Sequence, residues 1–356
     1  MNNDRIQEIL DLMEEARLDY FLISDPQSIA YCTGYYNDPH ERMFVFMISK
    51  HGNHTLFMND LFYLEHDLDV NIVWHKDGQD AIQTIVDEMH FPGRIGIDKN
   101  WASHFLLDLM KKLPDAKYIN ASPCVDLVRM KKDLQEQVLM IESSKINDAV
   151  MEEIIPFIQE GVTEKQLAKK LDELFFNHHS TCYGAIVAFG KNAADPHHEN
   201  DDTPLRKGDC VLIDMGCVYK GYCSDMTRTF FYEGILEEEI KVYEIVKKAN
   251  EAAEAMIKPG VKLSDIDKCA RKVISDEGYG KYFTHRLGHF IGRDVHEYGD
   301  VSSVNEMEVE EGMIFSIEPG IYLEGNFGVR VEDLVMVTKD RCQVLNSFTK
   351  DIYIIY

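Results

Sequence analysis

The sequence lacks several patterns on which common protein functions depend. Its eight cysteines form no C-x-x-C pair, and no apolar run approaches the roughly 18 residues that a membrane-spanning helix needs. Met1–Arg5 lead directly into an amphipathic helical pattern and not into the apolar core of a signal peptide. These absences favour a cytoplasmic protein with no membrane partner, in which the cysteines stay reduced within apolar strands and helices.

Basic residues are also scarce. Lys and Arg number 37 against 62 Asp and Glu, which gives a formal net charge of −25. A field of that sign repels phosphate backbones, so we expect no nucleic-acid partner, whereas the uptake of cations is favoured. The 356 residues suffice for about two domains, each with a core of its own.

Residues 1–122 alternate helical and strand patterns and predict an α/β domain without a phosphate-type glycine loop. Its short strands are predicted at Tyr20–Ile23, Met43–Ser49, His54–Met58 and Arg94–Asp98. The polar stretch Asn37–Arg42 has two interpretations. It is either a solvated turn or a loop that reaches a functional site, including the site of a partner subunit.

Residues 123–356 predict a second domain, so that the overall fold class is α/β (α+β). A long helix begins near Asp133, and Pro156 bends or ends its last turn. The layout of Ile158–Leu171 returns in Ile257–Ala270, where a Gly-Val turn again joins two helices and strands follow. This repetition predicts two duplicated α-then-β halves with a groove between their sheets.

The start of the second helix is predicted in each half. Thr163 with Gln166 fits a capping box in the first copy, and Ser264 is the expected cap in the second.

Two carboxylates stand in a predicted β-hairpin between Val211 and Tyr232, which turns at Lys220-Gly221. Asp214 lies in its first strand and Asp225 in its second, where a half-buried strand favours neutral residues. A buried acid is costly unless it is paired or holds a metal. These residues leave two explanations open: aspartates at the rim that bind the turn, or two acids that share a cation.

Three further candidates come from the second half. His289 lies in His285–Gly292, Glu318 ends the predicted strand Met313–Glu318, and Glu332 lies within the predicted strand Val329–Val337. Strand alternation puts Arg330 and Glu332 on one face of that last strand.

Four carboxylates and one imidazole suffice for two metal ions that share bridging carboxylates. Two divalent cations would also neutralise the four acids. Because the ligands are mostly hard oxygens with one nitrogen, they suit Mn²⁺, with Co²⁺ or Zn²⁺ as alternatives.

The order of these motifs resembles that of the pita-bread metallopeptidases, which include methionine aminopeptidases, aminopeptidase P, prolidases and the metal-free creatinases. The matching motifs are the two aspartates eleven residues apart, the histidine in G-H-x-I-G, the glutamate in E-P-G and the glutamate in V-R-x-E-D. In addition, Ala30–Tyr35 is similar to the Y-x-T-G segment of the prolidase branch. The resemblance implies a creatinase-like N-terminal domain over 1–122 and a pita-bread catalytic domain over 123–356, closest to bacterial Xaa-Pro dipeptidases.

The resemblance also implies a role for each matching residue. The metal ligands would be Asp214, Asp225, His289, Glu318 and Glu332, with Asp225 and Glu332 as the bridging pair. Glu318 would also transfer a proton, while His197 and His296 would lie beside the substrate and stabilise an oxyanion. His285 matches a third substrate-binding histidine, and Arg330 matches an arginine that supports the bridging Glu332.

The ends of a small peptide substrate need partners of their own. Arg286 is the predicted partner of the substrate carboxylate, and an ordinary surface arginine is the alternative. Members of this branch are usually homodimers, so Asp38 and His40 could approach the site of the partner subunit, where Asp38 would meet the substrate ammonium.

The expected activity is hydrolysis of the Xaa-Pro bond in dipeptides by a hydroxide held between two metal ions. An Xaa-Pro aminopeptidase acting on longer peptides is the main alternative. A non-catalytic pita-bread binding module and a creatinase-type hydrolase are disfavoured, because all five ligand positions are intact.

Three positions depart from the family pattern without touching a ligand. Phe290 replaces the usual glycine after the histidine ligand, where it either enters the core or narrows the pocket. Arg293 and Thr181–Ala185 also differ. We expect these departures to alter substrate preference.

Overall fold

A computed structural model of the chain describes residues 1–90 and 92–356. It divides into two compact units, Met1–Arg129 and Met130–Tyr356. Among the described residues, no helix is both long and apolar enough to cross a bilayer. All eight cysteines are free thiols, as expected.

The N-terminal unit is a mixed six-stranded sheet with the strand order β4-β3-β2-β1-β5-β6. Its strands are β1 (Tyr20–Ile23), β2 (Val45–Ser49), β3 (Thr55–Asn59), β4 (Asn71–His75), β5 (Arg94–Ile97) and β6 (Lys117–Asn120). Its helices are α1 (Asn3–Glu15), α2 (Pro26–Thr33), α3 (Ala81–Glu88), α4 (Ser103–Lys112) and α5 (Pro123–Met130). The four predicted strands and the α/β class are confirmed.

The central strands of this sheet are apolar on both faces, because helices cover both. Phe21 and Phe46 belong to one apolar cluster, together with Ile9 of α1. Leu22 and Met47, one residue further along, belong to a second cluster. Successive strand residues point to opposite faces. Because both faces are buried, the apolar residues of these strands follow one another without alternating with polar residues.

The C-terminal unit contains the predicted duplication. Its helices are α6 (Leu134–Ile154), α7 (Glu164–Asn177), α8 (Glu237–Met256) and α9 (Leu263–Asp276). The strands that follow α7 are β7 (Thr181–Cys182), β8 (Ile186–Phe189), β9 (Cys210–Met215), β10 (Cys217–Tyr219), β11 (Tyr222–Cys223) and β12 (Met226–Tyr232). The strands that follow α9 are β13 (Gly288–His289), β14 (Asp300–Val301), β15 (Ile314–Ile317), β16 (Gly320–Leu323), β17 (Phe327–Arg330), β18 (Asp333–Val337), β19 (Cys342–Val344) and β20 (Ile354–Ile355).

Most of the predicted helix ends are confirmed. Pro156 lies in a 3₁₀ turn that ends α6, and Thr163 with Gln166 forms a complete capping box on α7. The predicted cap at Ser264 is wrong. Helix α9 begins at Leu263, so Ser264 lies in its first turn and not before it. There its hydroxyl donates to Glu306 Oε1 at 3.1 Å.

The predicted hairpin is the antiparallel pair β9–β12, which lies in the sheet β20-β12-β9-β8. The second half forms the sheet β15-β18-β19 and the pair β16-β17. The continuous strand predicted over Val329–Val337 is wrong, because Val331 and Glu332 separate β17 from β18. The amide of Glu332 instead donates to the Thr227 carbonyl of β12, at 3.1 Å. This bond joins the two halves of the unit next to the candidate site.

Candidate metal centre

A cavity of about 200 Å³ lies in the C-terminal unit, between the duplicated halves. All five predicted metal ligands line it: Asp214, Asp225, His289, Glu318 and Glu332. Five of the predicted substrate-site residues also line it: His197, His285, Arg286, His296 and Arg330. The groove expected between the two copies is therefore present, and ten predicted residues surround it.

The hairpin positions the two aspartates. Asp214 lies in β9 opposite Thr227, and Asp225 directly precedes β12. The Tyr183 hydroxyl donates to the carbonyl of Ser224, the residue before Asp225, at 2.8 Å. A Cβ on Gly216 would lie 2.0 Å from both of these oxygens, so this arrangement requires a glycine.

The second half supplies the other three predicted ligands: His289 ends β13, Glu318 follows β15, and Glu332 lies between β17 and β18. The Ser316 hydroxyl accepts from the His289 amide at 3.0 Å and donates to Glu318 Oε1 at 3.1 Å. The Thr227 hydroxyl donates to Glu332 Oε2 at 2.6 Å. Each ligand is therefore held by a neighbouring hydroxyl or by the backbone of an adjacent strand.

The distances between the ligand atoms suit a metal ion. His289 Nε2 lies 3.5 Å from Asp225 Oδ2 and 3.5 Å from Glu318 Oε1. Ligand atoms of Asp225, His289 and Glu332 all lie within 4.8 Å of one another, and all three residues are buried. Ligands bound at about 2.0–2.2 Å around one cation would show separations of this order.

The pKa values of three acids in this cluster are raised, because they lie away from water and close to other carboxyl groups. Burial raises the pKa of Glu332 well above its ordinary value, and the charges of Asp225 and Glu318 add to the effect. Burial likewise raises the pKa of Glu318 to about 7 and raises that of Asp214. A shared cation would relieve this repulsion. Because Asp225 is only 5% exposed, it is not an aspartate at the rim.

Arg330 connects the predicted metal ligand Asp214 to His285, one of the predicted substrate-site histidines. Its Nη2 donates to Asp214 Oδ2 at 2.6 Å and its Nε to the Thr227 hydroxyl at 3.0 Å. The expected support of Glu332 by this arginine is therefore indirect and passes through Thr227, whereas the direct contact is with Asp214.

The same arginine begins a chain of hydrogen bonds whose directions are fixed. Arg330 Nη1 donates to the Tyr322 hydroxyl at 2.9 Å, and this hydroxyl lies 2.8 Å from His285 Nε2. His285 Nδ1 lies 2.7 Å from the Arg286 carbonyl and must donate to it. Burial, with Arg330 nearby, lowers the pKa of His285 to about 4, so its neutral Nε2 accepts from Tyr322.

The remaining substrate candidates lie at the edge of the cavity or outside this unit. The rings of His296 and His289 lie 4.3 Å apart, while His197 and Arg286 are exposed. Partial burial lowers the pKa of His296 to about 4, although the residue is still exposed to solvent.

Asp38 and His40 belong to the N-terminal unit. Their side chains are 64% and 73% exposed, and the His40 amide donates to Asp38 Oδ1 at 3.0 Å. Their approach to a partner's site stays a prediction.

The positions that depart from the family pattern also have defined places. Phe290 is fully buried against Phe315, with ring centroids 5.3 Å apart, so it enters the core and does not narrow the pocket. The guanidinium of Arg293 lies over the Tyr222 ring, 5.5 Å from its centroid. Tyr183, from the third departure, lines the cavity.

Four residues that hold this site were not predicted from the sequence: Tyr183, Thr227, Ser316 and Tyr322. Two of them carried a usable signal. Thr227 and Ser316 each lie two residues from a predicted ligand, which places each on the same face of the predicted strand as that ligand.

The comparisons with known proteins agree with this geometry. The pattern of metallopeptidase family M24 matches residues 138–339, and that of the creatinase/prolidase N-terminal domain matches residues 5–131. Uncharacterized peptidases of Staphylococcus aureus are 34% identical over 97% of this chain and 99% of their own length.

Two solved structures cover almost the whole chain. A dipeptidase from Pyrococcus horikoshii has a TM-score of 0.92 and 35% identity, and covers 98% of this chain and 99% of its own. A prolidase from Thermococcus sibiricus has a TM-score of 0.94 and 32% identity, and covers 99% of both chains. The expected pita-bread fold with a creatinase-like N-terminal domain is thereby confirmed. The chain belongs to metallopeptidase family M24.

Proposed function

We propose that this metallopeptidase hydrolyses the Xaa-Pro bond of dipeptides with two divalent metal ions, most suitably Mn²⁺. The observation that carries the proposal is the convergence of four carboxylates, two buried and two partly buried, and one buried imidazole on a single small cavity. The ions would be held by Asp214, Asp225, His289, Glu318 and Glu332. Bound cations would supply Lewis acidity at the scissile carbonyl.

Protein groups around the cavity supply the remaining chemistry. Glu318 is the proposed proton-transfer group, because as a metal ligand it would lie beside the attacking water. His296 and His197 line the cavity, and we propose them as donors to the oxyanion that develops on the carbonyl. Losing such a donor typically reduces the rate by about a hundredfold or more.

Recognition of proline follows from the chemistry of its amide. An Xaa-Pro bond has no N–H, so a site must bind the ends of the substrate and the ring. Arg286 is exposed where the cavity opens, and it is the proposed partner of the free carboxylate. The small cavity supports a dipeptide, as do the dipeptidase and the prolidase that the chain resembles.

The test compares Xaa-Pro dipeptides with Xaa-Pro-Yaa tripeptides, using purified protein loaded with Mn²⁺, Co²⁺ or Zn²⁺. We expect faster turnover of the dipeptides and about two bound ions per chain. Faster cleavage of the tripeptides would favour the aminopeptidase instead. Arg286→Ala should raise KM for dipeptides more than it lowers kcat, because Arg286 binds a part of the substrate that does not react.

We also propose a homodimer in which the loop containing Asp38 and His40 approaches the partner's site. Sedimentation should then give twice the mass of one chain. Asp38→Ala should raise KM for substrates with a free ammonium and leave the metal content unchanged. A monomer with full activity would contradict this proposal.

A further inference from the structure

Glu164 is a buried acid that neither the predicted metal centre nor the proposed mechanism uses. It is the first residue of α7 and is 0% exposed. Its Oε1 accepts from the Phe189 amide at 2.9 Å and from Asn192 Nδ2 at 2.9 Å. Its Oε2 accepts from the Asp201 amide at 3.0 Å and from His198 Nε2 at 2.6 Å. One buried carboxylate therefore receives four hydrogen bonds.

The four donors lie on both sides of His197. Phe189 ends β8 and Asn192 lies in the following 3₁₀ turn, so both precede His197. His198 and Asp201 follow it. Glu164 therefore ties together both ends of the segment that presents His197 to the cavity.

Further contacts fix this segment from other directions. Asn200 accepts from the Val187 amide at 2.7 Å and donates to the Ala185 carbonyl at 2.8 Å, so it docks along β8. The 3₁₀ turn that contains Ala193 packs directly on β17, because a Cβ added to Gly328 would lie only 1.9 Å from the Ala193 carbonyl oxygen. His197 itself stays exposed at the cavity.

Glu164, His198 and Asp201 are close enough to suggest a second cation site, but their hydrogen bonds argue against one. A carboxylate offers about four lone-pair positions, and four N–H donors already occupy those of Glu164. The separation of 2.6 Å between His198 Nε2 and Glu164 Oε2 is that of a direct charge-assisted hydrogen bond. The cluster therefore organises the backbone and does not bind a metal.

We propose that Glu164 is a positioning residue that holds His197 in its productive place beside the substrate. This inference rests on the proposed function, in which His197 contacts the reacting carbonyl. The charge of Glu164 matters because only a carboxylate can accept from all four donors. A glutamine would direct its NH₂ group at one of the two donor pairs and leave those N–H groups unsatisfied.

The first test is a double-mutant cycle between Glu164→Gln and His197→Ala in the metal-loaded protein. Glu164→Gln should lower kcat about tenfold to a hundredfold, since a displacement near 1 Å has effects of that size. KM should change less than about threefold, and the metal content should not change. In the His197→Ala background, Glu164→Gln should have no further effect on kcat. Additive losses would overturn the proposal.

The second test does not depend on turnover. Hydrogen exchange of the amides of residues 195–201 should rise about tenfold or more in Glu164→Gln, because charged hydrogen bonds to that segment are lost. The matched control is Glu199→Gln, which changes an exposed acid one residue from His198 and should leave both readouts unchanged. Unchanged exchange in Glu164→Gln would overturn the positioning role even if the wild type failed to cleave Xaa-Pro peptides. Inactivity of the wild type would reject only the proposed function.

If Glu164→Gln does not fold, His198→Ala takes its place, because it removes one of the four donors and keeps the carboxylate. His198→Gln restores a side-chain donor and should recover part of kcat. A His198→Ala variant with unaltered kcat and unaltered exchange would overturn the proposal.

Discussion

Asp225 lies beside Glu332 in the candidate site. Burial raises the pKa of Glu332, and the charge of Asp225 adds to that effect. Asp225→Asn removes both a proposed metal ligand and a source of repulsion. We expect turnover to fall by more than about a hundredfold and bound metal to decrease, because outer-shell changes alone cost up to that much. We also expect the metal-free variant to melt at a higher temperature than the metal-free wild type. Metal analysis and melting in EDTA measure both effects.

The control for Asp225→Asn is Glu324→Gln, which neutralises an exposed acid in the turn between β16 and β17. It should change neither the metal content nor the turnover. An Asp225→Asn variant with near-normal turnover would rule out a bridging role.

The Tyr322 hydroxyl links Arg330 to His285. Tyr322→Phe leaves Arg330 Nη1 and His285 Nε2 without this partner in a buried place. An unsatisfied buried group costs about 1–3 kcal/mol, so chemical denaturation should show a loss of stability of that order. Tyr353→Phe serves as the control, because Tyr353 is 37% exposed. Equal stability of the two variants would show that the chain of hydrogen bonds contributes nothing.

At the scale of elements, the hairpin β9–β12 depends on Gly216. Gly216→Ala places a methyl group 2.0 Å from the Ser224 carbonyl and from the Tyr183 hydroxyl, so the segments that carry Asp214 and Asp225 must shift. We expect lower thermal stability and weaker metal binding, because the two ligands move apart. Calorimetric metal titration checks the second effect.

The matched control is Gly325→Ala in the turn between β16 and β17. Nothing lies within 4 Å of a Cβ there, although φ is +76°. This substitution should cost only the roughly 1–2 kcal/mol of the left-handed conformation and leave metal binding unchanged. Equal metal affinity in Gly216→Ala and Gly325→Ala would contradict the proposed dependence of metal binding on Gly216.

Elements set by nearby residues were predictable, whereas those set by distant residues were not. The hairpin around Asp214 and Asp225 follows from its own alternation and turn. The break at Glu332 does not, since its amide pairs with Thr227, more than a hundred residues earlier. Helix α9 likewise begins before Ser264, where hydrogen bonds to residues 305 and 307 fix its first amides.

The candidate site shows the same division. Ten of the described residues that line the cavity were predicted, because they lie in or beside short motifs that resemble the family pattern. Tyr322 and Glu164 act through side chains that come together only after folding, and no local pattern marked them. The buried position of Phe290 also required the structure, because only its packing against Phe315 separates the two possibilities.

At the scale of the whole molecule, the buried acids predict how stability depends on pH. Burial raises the pKa of Glu318 and of Glu254 from 4.5 to about 7, and Glu254 lies away from the cavity beside Lys350 and Asp333. A carboxyl with a raised pKa binds its proton more tightly in the folded state. Its stabilisation is complete below the unfolded value and is lost as the pH rises through 7.

The histidines with a lowered pKa make the folded state more stable as the pH rises, but they do so over a lower pH range than the carboxyls. His285 and His296 have a pKa of about 4 in the folded state against 6.5 ordinarily, so their effect is complete near pH 6.5. His289 has a raised pKa and adds to the effect of the carboxyls. Above about pH 6.5, the loss of protons from the buried acids therefore dominates.

We expect the melting temperature of EDTA-treated protein to fall between about pH 6.5 and pH 8 at constant ionic strength. Bound Mn²⁺ should reduce that fall, because a cation replaces the proton that Glu318 holds, while the share of Glu254 persists. Glu318→Gln should therefore flatten the profile only without metal, whereas Glu254→Gln should flatten it in both conditions. A metal-free profile that rises with pH over this range would show that the acids are not buried together without a cation.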